Sequence, residues 1–215
     1  MGKYTIGINL NFYSKRSDNM KKAGGGVLAI IVIVVILAIG AFSTYNGLVG
    51  LDEEVNNSYA DLQTAVQRRA DLIPNLVNTV KGYASHEQET LTKITEARAK
   101  VNEANGPKEL SEANAELTRA IGDINVVVEA YPDLKANQNF IQLQDELAGT
   151  ENRIAVARKD YNGVVKTFNS KVRRFPTNIF AKMLGFSPRE YFEADPGAEN
   201  APSVNFGYKV INVIG

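Results

Sequence analysis

The feature that most constrains this chain is an apolar stretch of 20 residues, 23–42, with the sequence AGGGVLAIIVIVVILAIGAF and no charge. At about 1.5 Å per residue, a helix of this length spans the roughly 30 Å hydrocarbon core of a bilayer. Lipid offers no hydrogen-bond partners, so a lone segment must satisfy its amides internally, and a helix does so. The stretch therefore predicts a transmembrane anchor helix over residues 23–44.

The charges on either side of the stretch predict its orientation. Basic residues precede it, among them Lys15, Arg16, Lys21 and Lys22. The first basic residue after it is Arg68. The positive-inside rule then predicts a cytoplasmic N-terminus, with the rest of the chain across the membrane and Tyr45 at the far interface. A cleaved signal peptide is the alternative, but the apolar run exceeds a usual signal core and Ala38-Ile39-Gly40 is a poor cleavage site.

Beyond the membrane, apolar residues recur at intervals that alternate three and four. This spacing keeps one side chain per turn on a single helix face, as in helical bundles and coiled coils. It predicts four helices, over about residues 45–69, 72–104, 108–130 and 134–173. The second is expected to begin near Asp71 as an N-cap with Pro74 in its first turn, after a break or kink at Arg68-Arg69. Asn105-Gly106-Pro107 and Tyr131-Pro132-Asp133 separate the others.

These elements predict an all-α fold. The N-terminal transmembrane helix is expected to continue into a long antiparallel four-helix bundle, because short connections favour antiparallel neighbours. Residues 1–22 are predicted to be a flexible leader. After the bundle region, 45–193, the last part of which is a short helical and irregular segment, the Pro- and Gly-rich residues 194–215 are predicted to be a loose tail. Within it, residues 207–215 alternate like a strand and suggest no function.

Three sequence blocks carry a resemblance to a known family. They are RRADLIPNLVNTVKGYA from residue 68, ENRIAVARKDYN at 151–162 and FPTNIFAKMLGFSPREYFE at 175–193. In this order they resemble the LemA family of bacterial membrane proteins, over roughly residues 42 to 206. The resemblance implies the same helical-bundle fold. It implies little about molecular activity, because the family's role is poorly defined.

Composition and motifs argue against several classes of function. The chain has 24 basic and 24 acidic residues, so no positive excess points to nucleic acid. Without Cys there is no thiolate metal site and no Cys nucleophile. His86 is the sole histidine and lies on a polar surface, so neither a Ser-His-Asp triad nor a di-iron site is assembled. The carboxylates at 52–54, Glu87 and Glu89 lack calcium-loop spacing, and Gly24-Gly25-Gly26 lacks the context of a phosphate loop. We therefore predict no enzymatic activity, no cofactor, no metal and no small-molecule substrate.

What remains are charged and aromatic residues inside the three blocks. Arg69 or Arg158 could pair with a carboxylate on a facing helix and fix which helices pair. Alternatively, Arg side chains beside Tyr83 or Tyr161 suit a partner-binding surface. The candidate residues for one or the other role are Arg68, Arg69, Asp71, Pro74, Asn75, Tyr83, Arg153, Arg158, Asp160, Tyr161, Phe186, Arg189, Tyr191 and Phe192.

The third block is dense in large apolar side chains. They are Phe175, Phe180, Met183, Leu184, Phe186, Tyr191 and Phe192. We expect them to fold back and cap one end of the bundle. The alternative is an exposed apolar patch, which marks a partner or membrane surface.

Two functional hypotheses follow. The first is a non-enzymatic, single-pass protein of the bacterial cytoplasmic membrane, whose extracytoplasmic bundle is an adaptor or scaffold for envelope proteins or for further copies of itself. The second is a bundle that senses a ligand or remodels the membrane, because bundles can open a pocket between helices.

Overall fold

The computed structural model describes residues 11–193, with side chains from residue 28 onward. Within this range it contains six helices and no strand, which confirms the all-α fold. The helices are α1 (Asn11–Lys81), α2 (Gln88–Glu103), α3 (Gly106–Val128), α4 (Pro132–Lys135), α5 (Gln138–Arg173) and α6 (Thr177–Met183).

The chain divides into two compact units. We call residues 11–52 and 170–188 the anchor unit, and residues 53–169 and 189–193 the bundle unit. The anchor unit contains the apolar stretch of α1 and all of α6. The bundle unit contains the C-terminal part of α1, from residue 53, together with α2, α3, α4 and most of α5.

The bundle unit is an antiparallel arrangement of α1, α2, α3 and α5, as predicted. The rings of Tyr59 on α1 and Tyr161 on α5 have centroids 5.7 Å apart. Further along, Arg69 Nη1 of α1 lies 2.6 Å from a carboxylate oxygen of Glu151 on α5. Residue numbers thus increase along α1 in the direction in which they decrease along α5, so the two helices are antiparallel. Lys100 of α2 likewise pairs with Glu116 of α3 at 2.5 Å, across a two-residue connection.

The spacing predicted from sequence coincides with burial in this unit. Most apolar side chains of the series are buried, and each of these contributes roughly 1.5–3 kcal/mol relative to exposure, whereas Tyr59, Val77 and Leu143 are half-buried. Those buried on α1 and α3 include Val55, Leu62, Val66, Ile73, Val80, Leu110, Leu117, Ile121, Ile124 and Val128. Those on α2 and α5 include Leu91, Ile94, Val101, Phe140, Leu147, Ile154, Tyr161, Val165 and Phe168.

The first helix does not end near residue 69, contrary to the sequence prediction. α1 continues through Pro74 to Lys81, and Asp71 accepts a hydrogen bond from Gln67 Nε2 at 2.9 Å instead of capping a new helix. Proline lacks the amide that would bond to the carbonyl four residues earlier, which belongs to Ala70. Arg98 Nε of α2 donates to that carbonyl oxygen at 3.1 Å. A neighbouring helix therefore supplies the missing donor, and α1 persists.

The real break lies at residues 82–87, inside the single helix predicted for 72–104. The amides of Tyr83 and Ala84 both bond to the carbonyl of Val80, which closes α1 in a tight turn at a glycine. Glycine is a poor helix former, so a reversal costs little here. The reversal is then held by side chains: Tyr83 Oη accepts a hydrogen bond from Asn137 Nδ2 at 2.9 Å, and Tyr131 Oη donates to Glu87 at 3.0 Å.

Two more helix boundaries differ from the sequence prediction. Helix α1 begins at Asn11, so residues 11–22 are helical and not the flexible leader predicted for 1–22. A separate four-residue helix, α4, precedes α5, which begins at Gln138 instead of near 134. Residues 1–10 and the predicted loose tail, 194–215, lie outside the described residues.

In the anchor unit, the described part of the apolar stretch, residues 28–42, is exposed almost throughout. Within the described residues, α1 is the one helix long and apolar enough to cross a membrane. The α6 helix ends at Met183, and Gly185, two residues later, has φ +83°. The amides of Gly185 and Phe186 bond back to the carbonyls of Lys182 and Ala181, a C-terminal motif for which glycine is suited.

The third sequence block does not cap the bundle as a whole. Only Phe192 of its large apolar side chains is fully buried, whereas Phe175 is 76% and Met183 70% exposed. Leu184 and Tyr191 are also exposed, and Phe180 and Phe186 are half-buried. The cap prediction is wrong for most of this block, because the chain passes through α6 in the anchor unit before its last residues return to the bundle unit.

Candidate functional site

A groove of about 500 Å³ lies between α1 and α5 in the bundle unit. The surface that lines it is mostly apolar, although four of the lining side chains are charged. Five residues of each helix line it: Ser58, Asp61, Thr64, Ala65 and Arg68 of α1, and Asn152, Arg153, Val156, Ala157 and Asp160 of α5. Small residues at 65 and 157 leave the space open, and Val156 is 61% exposed in it. An apolar trough with polar edges is the usual form of a binding site.

Four side chains of the groove are charged. Arg68 and Arg153 contribute positive charge, and Asp61 and Asp160 contribute negative charge. Among residues 28–193, none of these four side chains forms an ion pair or a side-chain hydrogen bond. The first two sequence blocks thus meet across one groove: it contains the candidates Arg68, Arg153 and Asp160.

Arg69 has a different position from its neighbour Arg68. It is 4% exposed, and its guanidinium lies 2.6 Å from the Glu151 carboxylate, 2.8 Å from Thr118 Oγ1 and 3.3 Å from Asn114 Oδ1. It therefore connects α1 to both α3 and α5. A buried charge needs such partners, because leaving it unpaired would be costly.

An extended segment, residues 189–193, lies along the bundle unit and is held by side chains; we call it the strap. Asn169 donates to the carbonyl of Arg189 and accepts from its amide, at 2.8 and 2.7 Å. Asn162 does the same for Phe192, at 2.8 and 3.0 Å. An asparagine side-chain amide presents both donor and acceptor groups. Two such side chains, seven residues apart on α5, therefore make the backbone hydrogen bonds that a neighbouring β-strand would otherwise make.

The other strap contacts come from hydroxyl groups. Tyr161 Oη donates to the carbonyl of Glu190 at 2.8 Å, and Ser111 Oγ donates to that of Glu193 at 2.9 Å. Phe192 is 2% exposed. Burial raises the pKa of Tyr161 to about 12, with a smaller contribution from Tyr59 beside it. Burial also raises the pKa of Tyr59. Both phenols are thus kept neutral.

The remaining candidates are dispersed. Asp71, Asn75 and Tyr83 lie on exposed parts of α1 or the turn after it, and Pro74 is half-buried. Arg158 is half-buried, and among residues 28–193 it forms no ion pair. Phe186 belongs to the anchor unit, where its ring centroid lies 6.1 Å from that of Tyr45. Arg189 and Tyr191 are exposed on the strap.

Several residues of the site were missed from sequence. Asp61, Ala65 and Ala157 complete the groove, and Glu151 is the carboxylate partner of Arg69. Asn162 and Asn169 hold the strap, and their seven-residue interval on one helix face was the signal that could have found them. Within residues 28–193, no cluster of three or more His, Cys, Asp or Glu side chains could hold a metal ion.

Comparison with known proteins assigns the chain to a family. The LemA family model matches residues 58–206, which include all three sequence blocks. Protein LemA of Metamycoplasma hominis is 32% identical over 165 residues, covering 74% of this chain and 75% of that protein. Magnetosome protein MamQ 2 of Paramagnetospirillum magneticum is 25% identical over 210 residues (83% and 77%). Magnetosome protein MamQ of Magnetospirillum gryphiswaldense is 24% identical over 213 residues (85% and 78%). The chain belongs to the LemA family and is a helical, membrane-associated member of it.

Proposed function

We propose that this protein is a non-enzymatic adaptor or scaffold of the bacterial envelope, and that the groove between α1 and α5 is its binding site for a protein partner. The observation that carries the proposal is the groove itself. It combines a mostly apolar lining with four charged side chains that have no ion-pair partner among the described residues. Such a surface suits a helix or extended segment with an apolar face and charges of both signs.

The division of labour between Arg68 and Arg69 supports this proposal. Arg69 is paired with Glu151 and bonded to Thr118 inside the bundle unit, so it stabilises the fold. Arg68 is exposed at the groove edge, where a planar guanidinium suits a carboxylate of a partner. Structural and recognition roles thus fall on adjacent residues of the same sequence block.

Membrane topology completes the proposal. The apolar stretch of α1 anchors the protein once in the cytoplasmic membrane, with the N-terminus in the cytoplasm and the bundle unit outside. The orientation of a transmembrane helix is set by the basic residues close to it in sequence, and in this chain the basic residues close to the apolar stretch precede it. The later basic residues lie too far along the chain to contribute to that choice.

The proposal is tested with two matched valine variants. Val156 in the groove and Val126 on α3 are 61% and 74% exposed, so replacing either by lysine should leave folding unchanged. The full chain and both variants are crosslinked in cells, extracted in detergent and affinity-purified beside an unrelated anchored helical bundle. We expect a protein enriched with the wild type and V126K and lost with V156K.

The comparison also has contrary outcomes. A protein retained equally by V156K and V126K would remove the groove from the proposal. If nothing is enriched over the unrelated bundle, the adaptor function is wrong. A partner that proves to be a second copy of this chain would keep the groove and change the function to self-assembly.

A further inference from the structure

We propose that α6 and its neighbouring residues form a lipid-binding surface, which docks onto the headgroup region of the same bilayer that α1 crosses. This inference rests on α1 as a membrane anchor and not on the groove. It begins with four exposed apolar side chains of the anchor unit, Phe175, Ile179, Met183 and Leu184, which we call the α6 patch. Large apolar side chains this exposed are unusual in a protein surrounded only by water.

Two residues of the patch lie on one face of α6, and the other two flank the helix. Ile179 and Met183 are four residues apart, so they share a helix face, and they are 58% and 70% exposed. The opposite side carries Ala181, which is fully buried, and Phe180, between the two faces, is half-buried. Helix α6 therefore packs within the anchor unit by one face and presents the other outward.

The position of α6 along α1 is fixed by contacts inside the anchor unit. The ring of Phe186, just after α6, lies 6.1 Å from that of Tyr45. Lys171 Nζ, just before the end of α5, donates to the carbonyl of Gly47 at 3.3 Å. Tyr45 follows Phe42, the end of the apolar stretch, by three residues, or about 4.5 Å of helix. The contacts thus hold α6 at the level where the hydrocarbon core gives way to headgroups.

The net charge of the anchor unit indicates which ligand the α6 patch binds. The side chains described in the anchor unit include the basic Lys171, Arg173, Arg174 and Lys182 and the single acidic Asp52. The whole chain, in contrast, is balanced. A positive surface around large apolar side chains is complementary to anionic phospholipid headgroups above acyl chains. A second copy of the same unit would bring the same positive charges together and be disfavoured.

The absence of cysteine from the chain makes the test direct. Met183→Cys is introduced into the full chain, labelled with an environment-sensitive fluorophore and reconstituted into vesicles that contain spin-labelled lipid. Val126→Cys, at an equally exposed apolar residue of the bundle unit, is the matched control, and Ile179→Cys is a second reporter of the patch. We expect lipid quenching to be several-fold stronger at residues 183 and 179 than at 126.

The contribution of the basic side chains to lipid binding is tested in vesicles with and without phosphatidylglycerol. Quenching at residue 183 should increase with this anionic lipid, and the double variant R173Q/R174Q should remove the increase. Carbonate extraction reports separately whether the chain is integrated in the membrane. Equal quenching at 183 and 126 in an integrated chain would overturn the proposal. So would a label at 183 that is shielded from water but not quenched by lipid, or energy transfer between 183 labels that shows the patch covered by a second copy.

Discussion

The two units of this protein treat large apolar side chains in opposite ways. The bundle unit buries them at three- and four-residue intervals, leaving little exposed beyond the groove and a few single residues. The anchor unit exposes Ile, Val, Leu and Phe along α1 and again around α6. Both sets are equally apolar, so the difference lies in the surroundings. The bundle unit suits an aqueous surrounding, and the apolar stretch of α1 in the anchor unit suits a lipid one.

The strongest test of this contrast compares two phenylalanines of one sequence block. Phe192 is 2% exposed in the bundle unit, whereas Phe175 is 76% exposed in the anchor unit. Phe192→Ala leaves a cavity and should lower the free energy of unfolding by about 3–4 kcal/mol. Phe175→Ala should change it by less than about 0.5 kcal/mol. Denaturant titration of the full chain in detergent, followed by circular dichroism, measures both. Similar losses for the two variants would contradict the contrast.

A second comparison separates the adjacent arginines of the first block. Arg69→Ala leaves the Glu151 carboxylate and two polar side chains without their shared donor, and should cost about 3 kcal/mol. Arg68→Ala removes an exposed side chain and should stay within about 0.5 kcal/mol. The same titration applies. If Arg68→Ala destabilised the protein as much as Arg69→Ala, Arg68 would not be free to serve recognition.

The strap supplies a smaller effect. Asn162→Ala removes both hydrogen bonds to the backbone of Phe192, and at about 1 kcal/mol each we expect a loss of about 2 kcal/mol. Asn139→Ala, at an exposed residue near the start of α5, is the control and should be neutral. Hydrogen exchange at the Phe192 amide should accelerate in the first variant only. An unchanged exchange rate would mean that the strap is held by other contacts.

The smallest effect depends on pH. The pKa of Tyr161 is raised to about 12 in the fold, above the value of about 10 expected in an unfolded chain. The neutral phenol therefore stabilises the fold fully below pH 10, and this contribution is lost as the pH rises towards 12. At pH 7, Tyr161→Phe should cost about 1 kcal/mol through its bond to Glu190. Above pH 10 the difference between wild type and variant should shrink; a constant difference would exclude ionisation of Tyr161.

Sequence patterns predicted the repeating parts of this fold because burial repeats with the helix. Leu117, Ile124 and Val165 lie where the three/four spacing placed them. Sequence patterns failed where a side chain distant in sequence decides the local structure. Pro74 is tolerated because Arg98 reaches the carbonyl of Ala70, and no local pattern contains that contact. The groove escaped prediction for a related reason: it depends on small residues of two helices remote in sequence, such as Ala65 and Ala157, which carry no signal of their own.

The claim on which the functional account depends is that the α1/α5 groove is occupied by another protein in the cell. A photoreactive amino acid at residue 156 of the full chain, in intact membranes, tests it directly, with residue 126 as the matched exposed control. The account predicts a discrete protein adduct from 156, lost when Arg68 and Arg153 are replaced by alanine, and no such adduct from 126. The absence of an adduct at 156, or the same adducts from both residues, would contradict it.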